Sequence, residues 1–271
     1  MTPETPPSIE PRNAAEAQLQ NEFASKVSAE TYQKWLAYVA SSQPEKKAWL
    51  QTLEANLGGF YFPHYLNETL FKDDYDPNTD CWAYVKDDPK LARLLIIGDS
   101  ISRAYTATVR QLLREVANVH RAPANCGPSS NFMHDGETWL LQNGSNQWDY
   151  IIVNFGIHDG KNPDGYEQRL RLIFERLKAT KVRQIFWVRT TPWGLDASVF
   201  DNIEGDSSRI TNPTSDRIAL EFGLNIIDAH ALMHPLLHSD LNRSDFSHWT
   251  EAAYQLLGNF IANEAKKKLP K

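Results

Sequence analysis

The stretch RLLIIGDS, residues 93–100, indicates the fold of this chain. Its large aliphatic residues, Leu94 to Ile97, do not alternate with polar ones, which is typical of a strand buried on both faces. Residues 105–116 then carry apolar side chains at helical spacing, so a helix follows the Gly-Asp-Ser turn directly. Ser100 therefore stands where a buried parallel strand meets the N-terminus of a helix. Open α/β sheets bind ligands at such positions, and the backbone N–H groups there favour a developing negative charge.

Taken alone, the Gly-Asp-Ser turn supports two interpretations. Asp and Ser are common helix N-caps, so the turn is typical of any connection from a strand to a helix. Alternatively, Ser100 is a nucleophile, in which case its hydroxyl needs a base nearby. Residues farther along the chain decide between these interpretations.

Composition restricts the class of protein. The chain has 271 residues, of which 41% are hydrophobic, and this suits one large domain, with or without an extension. Charged residues make up 23% and the formal net charge is −6, which argues against a nucleic-acid partner. No apolar run reaches the length that crosses a bilayer, so we expect a soluble protein without a membrane partner.

The first residues predict a disordered leader over residues 1–20. Prolines lie among polar neighbours there, and residues 1–9 have neither the charge nor the apolar centre of a signal peptide. Such a leader commonly follows a removed signal peptide, which favours a secreted or periplasmic protein, but residues added for expression look the same.

Two cysteines, Cys81 and Cys126, say little about the redox environment. They can form a disulfide or remain buried thiols, and their spacing is not that of a metal site. We expect free thiols.

Residues 21–90 are predicted to form an N-terminal extension. Helical patterns over residues 21–41 and 44–57 predict a helical hairpin that packs on the main domain. Residues 60–85 follow as an irregular segment rich in aromatic and acidic side chains. Clustered aromatic rings suit a sugar-binding surface and ordinary core filling equally well.

The remaining residues, 91–271, alternate between strand and helix patterns. Five such alternations predict a three-layer α/β/α sandwich with a doubly wound, mostly parallel five-stranded sheet. In this architecture, polar residues just past the strand ends converge on one rim. After the first strand, the predicted strands are residues 118–120, 149–156, 184–188 and 224–227. The predicted helices include residues 136–142, 166–179 and 251–268, and a polar insert covers residues 196–212.

The last polar cluster supplies the base that Ser100 needs. Asp245 and His248 stand three residues apart in a loop that leads into the final helix, for which Thr250 is a natural N-cap. The carboxylate can then accept from one imidazole nitrogen, while the other nitrogen takes a proton from Ser100. An isolated Asp-x-x-His pair arises readily by chance, so it indicates a catalytic pair only in combination with the other motif residues.

In this order, the residues resemble the SGNH hydrolases, also called the GDSL esterase/lipase superfamily. The resemblance covers about residues 91–269. It rests on Gly98-Asp99-Ser100 for the first block, Gly127 for the second, Gly156-Ile157-His158-Asp159 for the third and Asp245-x-x-His248 for the last.

The resemblance implies a flavodoxin-like fold and ester hydrolysis through an acyl-enzyme, with no metal or other cofactor. Ser100 is implied as the nucleophile, His248 as the base and Asp245 as the residue that orients it. The backbone N–H groups of Ser100 and Gly127 are implied as oxyanion-hole donors.

One position departs from the family pattern. The third block usually reads Gly-x-Asn-Asp, with the Asn side chain donating to the oxyanion, and here that position is His158. An imidazole N–H can take this place, and protonation would strengthen oxyanion binding while tying activity to pH. Asn154 is the alternative donor, and Asp159 is a further supporting residue. We favour His158 because its position in the motif matches.

The substrate is expected to be a small-molecule or glycan ester. No amphipathic lid helix of the kind that a long-chain lipase needs is apparent. Four tryptophans suit stacking against a sugar, namely Trp82, Trp139, Trp193 and Trp249. Many members of the superfamily that the chain resembles deacetylate carbohydrates, so the resemblance, together with these aromatic residues, implies a carbohydrate O-acetylesterase. The alternatives are an O-acetyltransferase, a general short-chain carboxylesterase or lysophospholipase, and a catalytically silent carbohydrate-binding protein.

Overall fold

The structure, a computed structural model, describes residues 26–141, 147–242 and 245–269. These residues form two compact units, one ending at Tyr75 and the other beginning at Asp76. The predicted leader at residues 1–20 lies outside the described residues, as does the beginning of the first predicted helix.

The division between the units falls before the predicted boundary at residues 90 and 91. Residues 80–88 make hydrogen bonds with other residues of the second unit, which explains why the division falls before them. Asp87 Oδ1 lies 2.6 Å from His120 Nε2, and the Asp88 N–H donates to Asn118 Oδ1 at 2.9 Å.

The first unit is helical. Ser28 caps the first described helix by accepting from the Thr31 N–H, and the rings of Trp35 and Phe62 pack edge to face with centroids 5.2 Å apart. The segment predicted to be irregular from residue 60 is in fact helical as far as Leu70, because buried aromatic rings such as Phe62 belong to the core. The helices are α1 (Ala29–Ser41), α2 (Pro44–Asn56), α3 (Gly58–Tyr65) and a π-helical turn at Leu66–Leu70.

The second unit contains a five-stranded sheet in which every neighbouring pair is parallel, in the order β2-β1-β3-β4-β5. In the interior strand β1, Leu95 is level with His120 of β2 and with Ile151 of β3. This confirms the predicted doubly wound sheet. The strands are β1 (Ala92–Ile97), β2 (Ala117–Arg121), β3 (Tyr150–Val153), β4 (Gln184–Val188) and β5 (Asn225–Ile227).

Helices follow the strands of the second unit. They are α4 (Ser100–Leu113), α5 (Ser129–Leu140), α6 (Ile157–Gly160), α7 (Tyr166–Ala179), α8 (Ser208–Glu221), α9 (Ala229–Met233) and α10 (Glu251–Lys266), with 3₁₀ turns at Ala197–Phe200 and His234–His238. α5 begins well before the predicted residue 136, and α8 begins inside the predicted polar insert.

Two apolar cores lie on opposite faces of the sheet, which gives the three predicted layers. Leu94 and Ile96 pack into one core with α4 and α10, whereas Leu95 and Ile97 pack into the other with α5 and α7. The four tryptophans expected to stack on a sugar, Trp82, Trp139, Trp193 and Trp249, are each no more than 2% exposed. That expectation is wrong, because their rings are enclosed by protein.

Both cysteines are free thiols, as expected. Burial raises the pKa of the Cys81 and Cys126 thiols to about 12. Within the three described ranges, none of the helices has the length and apolar character of a membrane span.

Candidate active site

The nucleophile turn joins β1 to α4. Asp99 is the N-cap of α4, because its Oδ1 accepts from the Ile101 N–H at 3.0 Å, and Ser100 is the first helical residue. Gly98 is needed for close packing, since a Cβ there would lie 2.8 Å from Ser102 Oγ. The capping and nucleophile interpretations of the Gly-Asp-Ser turn are therefore compatible, because different residues fill the two roles.

Ser100, His248 and Asp245 are brought together into one hydrogen-bonded relay. Ser100 Oγ lies 2.8 Å from His248 Nε2, and His248 Nδ1 lies 2.7 Å from Asp245 Oδ2. Ser100 and His248 are separated by 148 positions in the sequence, so only the fold unites them. The relay has the connectivity that general-base activation of a serine requires.

The backbone of its own loop fixes the Asp245 carboxylate. Asp245 Oδ1 accepts from the N–H groups of Ser247 at 3.1 Å and His248 at 2.8 Å. Partial burial raises the pKa of Asp245, but these hydrogen bonds and the one from the His248 ring lower it more, so the net pKa lies below the ordinary 3.8. The carboxylate is therefore ionised at neutral pH and holds the His248 Nδ1–H.

Two contacts anchor the loop that carries Asp245 and His248. The Gly194 N–H donates to the Phe246 carbonyl at 2.9 Å, and the Thr250 N–H donates to Leu241 O at 2.9 Å. Thr250 also caps α10 through its side chain, as its sequence position predicts. His248 is thus held between an anchored loop and the start of a helix.

Gly127 lies in the loop that follows β2, beside the nucleophile turn. The N–H of the preceding residue, Cys126, donates to the Gly98 carbonyl at 3.1 Å. Gly127 has a φ of +60°, which favours glycine, and a Cβ there would lie 2.9 Å from Asn131 Nδ2. These contacts place the loop of Gly127 beside the nucleophile turn, and the role of Gly127 as an oxyanion-hole donor stays a prediction.

The two candidate oxyanion side chains have different surroundings. Asn154 is buried, and its Nδ2 donates to Val188 O at 2.6 Å and reaches Thr190 Oγ1 at 3.4 Å. Its amide is therefore engaged in joining neighbouring strand ends. His158 lies in α6 and is partly exposed. It is close to Asp99, because its proximity lowers the pKa of that carboxyl, which burial raises. This arrangement favours His158 over Asn154 as the side-chain donor.

Asp159 connects the second and third blocks of the motif. It is buried, and its carboxylate accepts from the Ser129 N–H at 2.9 Å, from the Ser129 hydroxyl and from Arg169 Nη2 at 3.1 Å. Ser129 begins α5 directly after Pro128 and Gly127. Asp159 thus fixes the loop that presents Gly127.

Sequence reasoning missed two arginines that organise the site. Arg169 donates to both Asp159 and Ser129, and Arg121 donates to the carbonyls of the nucleophile turn. The sequence feature that could have indicated Arg121 is its position as a charged residue at the end of an otherwise buried strand. The described residues contain no group of His, Cys, Asp and Glu side chains that could hold a metal ion.

A groove of about 580 Å³ opens beside Ser100 and His248. It runs between α4 and α10, which contact one another closely at Gly258, where a Cβ would lie 2.7 Å from Thr108 Cβ. Its volume is within the range of small-molecule sites. The side chains along it include Arg103, Thr108, Gln111, Glu251, Gln255 and Asn259.

Comparisons with known proteins detect similarity of structure. No protein-family profile matches the chain, and no curated protein does. Acetylxylan esterase Axe2 from Geobacillus stearothermophilus is 17% identical, with a TM-score of 0.54 over 64% of this chain and 93% of that one. LAE5, an alpha/beta hydrolase enzyme from the metagenome of Lake Arreo, Spain, is 17% identical, with a TM-score of 0.54 over 65% of this chain and 95% of that one. A candidate SGNH hydrolase from Slackia heliotrinireducens is 19% identical, with a TM-score of 0.52 over 64% of this chain and 98% of that one.

The chain therefore shares the fold of these hydrolases, which is the fold that the resemblance of its motifs implies. Solved Axe2 structures include catalytic mutants in which a serine or a histidine is replaced by alanine. In this chain, the corresponding residue types are joined in the relay from Ser100 to Asp245.

Proposed function

We propose that this protein is a serine esterase that hydrolyses acetyl and other short-chain esters of carbohydrates through an acyl-enzyme. The observation that carries the proposal is the relay in which Ser100 Oγ, the His248 ring and the Asp245 carboxylate are joined at 2.8 and 2.7 Å. A serine with an oriented imidazole base at a helix N-terminus is equipped for acyl transfer.

Acylation begins when Ser100 Oγ attacks the ester carbonyl carbon and its proton passes to His248 Nε2. The carbonyl oxygen becomes an oxyanion, which the N–H groups of Ser100 and Gly127 and the His158 side chain stabilise. His248 then gives its proton to the departing alcohol, and the acyl group stays on Ser100. Asp245 stabilises the imidazolium throughout.

Deacylation repeats these steps with water. His248 Nε2 takes a proton from water, the resulting hydroxide attacks the acyl carbon, and the collapse of the second oxyanion returns the proton to Ser100 Oγ. The released products are a carboxylic acid and a regenerated serine.

The groove between α4 and α10 supports a carbohydrate alcohol over an apolar one. Arg103 and Glu251 stand near its Ser100 end, so the groove carries charges of both signs there. Farther along, neutral side chains with donors and acceptors prevail, such as Gln111, Gln255 and Asn259, and these suit sugar hydroxyls. The names of the Axe2 structures, which describe an esterase of acetylated xylan, agree with this substrate class.

The proposal is tested by turnover of p-nitrophenyl acetate, butyrate and octanoate beside acetate release from an acetylated sugar. Ser100→Ala and His248→Ala are each expected to lower kcat by about 1000-fold or more while the protein stays folded. Ser239→Ala, at an exposed serine of the same unit, is the matched control and is expected to be fully active. Retained activity in Ser100→Ala would refute the assignment.

The same assay separates the alternatives. Acetyl transfer to an added sugar that exceeds hydrolysis would indicate a transferase, and turnover that rises with acyl length would indicate a lipid esterase. The groove is tested by Ala107→Phe, which places a ring in it. This variant is expected to raise KM for the acetylated sugar and to leave p-nitrophenyl acetate unaffected, and equal effects on both would argue against the groove.

A further inference from the structure

A buried arginine lies behind the nucleophile turn. Arg121 closes β2 and is 1% exposed. Its Nη2 donates to Gly98 O at 3.0 Å and to Asp99 O at 3.1 Å, and its Nη1 donates to Ser102 Oγ at 2.8 Å. The guanidinium therefore holds both carbonyls of the turn that presents Ser100.

The contact with Asp99 O acts on the same peptide group that supplies an oxyanion donor. The Asp99 carbonyl and the Ser100 N–H are two ends of one peptide unit. A cation on the carbonyl oxygen draws electron density through that planar unit, which makes the N–H a stronger donor. The Gly98 carbonyl, which also accepts from the Cys126 N–H, links the same guanidinium to the loop of Gly127.

Arg121 brings a cationic group to the nucleophile turn. Arginine keeps its proton in proteins, and the carbonyl and hydroxyl groups that it binds are uncharged. Burial raises the pKa of the Asp99 carboxyl in the same turn, although His158, the Ile101 N–H and Arg121 each act to lower it. Its Oδ2 is buried and has no hydrogen-bond partner among the described residues. In a site of low dielectric, a fixed positive charge stabilises a developing oxyanion over several ångströms.

We propose that Arg121 is a positioning residue for the reaction, which fixes the nucleophile turn and polarises the Asp99–Ser100 peptide so that the Ser100 N–H binds the oxyanion more strongly. The proposal rests on the proposed esterase function. It assigns Arg121 an effect on the transition state, beyond its effect on stability.

The test compares Arg121→Met with Arg121→Lys. A direct oxyanion donor is commonly worth about 100- to 1000-fold in kcat, and an indirect one is worth less, so Arg121→Met is expected to lower kcat about 10- to 100-fold with little change in KM. Arg121→Lys keeps the charge but not the fork that reaches the two carbonyls through Nη2 and Ser102 through Nη1, so its loss is expected to be intermediate.

Arg110→Met is the matched control. Arg110 also donates to backbone carbonyls, those of Val119, Asp80 and Cys81 at 2.7–3.0 Å, but none of them belongs to the nucleophile turn. This variant is expected to lower the melting temperature and to leave kcat of the folded protein within about twofold of the wild type.

A boronic acid distinguishes electrostatic assistance from structural support, because it binds the active serine as an anionic tetrahedral adduct. Its Kd, measured by calorimetry, is expected to weaken in Arg121→Met by the same factor as kcat falls. This measurement needs no ester turnover, so it tests Arg121 even where the ester assay disproves the proposed function. An unchanged Kd in folded Arg121→Met, or an equal loss in Arg110→Met, would overturn the proposal. If Arg121→Met does not fold, a wild-type boronate affinity in Arg121→Lys would overturn it as well.

Discussion

Replacement of Asp245 by Asn is expected to lower kcat more than replacement by Ala does. In the wild type, Asp245 Oδ1 accepts from two backbone N–H groups, those of Ser247 and His248, whereas Oδ2 accepts from the His248 ring. An Asn side chain has a single oxygen, and two backbone donors outweigh one ring donor in deciding where it lies. The Asn NH₂ group therefore faces His248 Nδ1.

An NH₂ group at this place selects the wrong tautomer of His248. Nδ1 must then accept, so Nε2 carries the proton and donates towards Ser100 Oγ instead of accepting from it. Restoring the productive tautomer forces two donors to face each other, at a cost of about 1–3 kcal/mol for each. The sum of about 2–6 kcal/mol corresponds to a loss of kcat between about 30-fold and 10⁴-fold.

Asp245→Ala leaves the Nδ1–H free to donate to water, because the Asp245 and His248 side chains are 53% and 38% exposed. The variant loses one charge-assisted hydrogen bond, about 1.5–3 kcal/mol, or about 10- to 150-fold in kcat. The Asn variant is thus expected to be slower than the Ala variant by up to about 100-fold. Because the pair is well exposed, both variants should melt within a few degrees of the wild type.

The assay is kcat and KM for p-nitrophenyl acetate, with ¹⁵N NMR of the His248 ring to report the tautomer. An Asn variant that is as active as the Ala variant, or more active, would refute the reasoning about the two backbone donors. A ring with the wild-type tautomer in the Asn variant would refute it independently.

Three further predictions follow from the same unit. His158→Ala should lower kcat about 100- to 1000-fold while His158→Asn retains more activity, and a wild-type kcat in His158→Ala would contradict its role as an oxyanion donor. Asp159→Ala leaves the Ser129 N–H and Arg169 without their buried carboxylate, so urea unfolding should show a loss of about 3–5 kcal/mol; a loss below about 1 kcal/mol would show that water replaces it. Burial raises the pKa of Asp206, but hydrogen bonds from His230 and Ser208 bring it below the ordinary 3.8. The ionised Asp206 carboxylate therefore stabilises the folded protein fully above pH 3.8, and this stabilisation is lost as the pH falls through the lower pKa of the folded state. In urea unfolding at acid pH, the free energy of unfolding of Asp206→Asn should fall less steeply with decreasing pH than that of the wild type.

The fold was predictable from local features because buried parallel strands are continuous apolar runs. Leu94 to Ile97 and the run at Tyr150–Val153 show this directly, and the turns after them carry the motif residues. The order in which Ser100, Asp245 and His248 occur along the chain gave a second indication of the fold, which composition alone does not supply.

What the sequence could not show depends on contacts between distant residues. α5 begins at Ser129 rather than near residue 136 because a carboxylate thirty positions away, Asp159, accepts its first N–H and hydroxyl. The burial of Trp139 and Trp249 was equally hidden, since an aromatic ring suits a core and a sugar surface alike. Arg121 escaped notice because a charged residue at a strand end is usually solvated, and only the fold encloses this one.

The two halves of the site therefore differ in how they are built. The base His248 and the carboxylate that orients it, Asp245, lie in a partly exposed loop, where replacing them removes little packing and leaves few buried groups without partners. The groups that stabilise charge are supported by buried polar contacts, those of Arg121 with the nucleophile turn and of Asp159 with Ser129. Because a buried donor without an acceptor is costly, changes in the second half should reduce stability and kcat together, whereas changes in the first half should reduce kcat alone. A variant of His248 that unfolds the protein, or a variant of Asp159 that leaves its stability unchanged, would contradict this division.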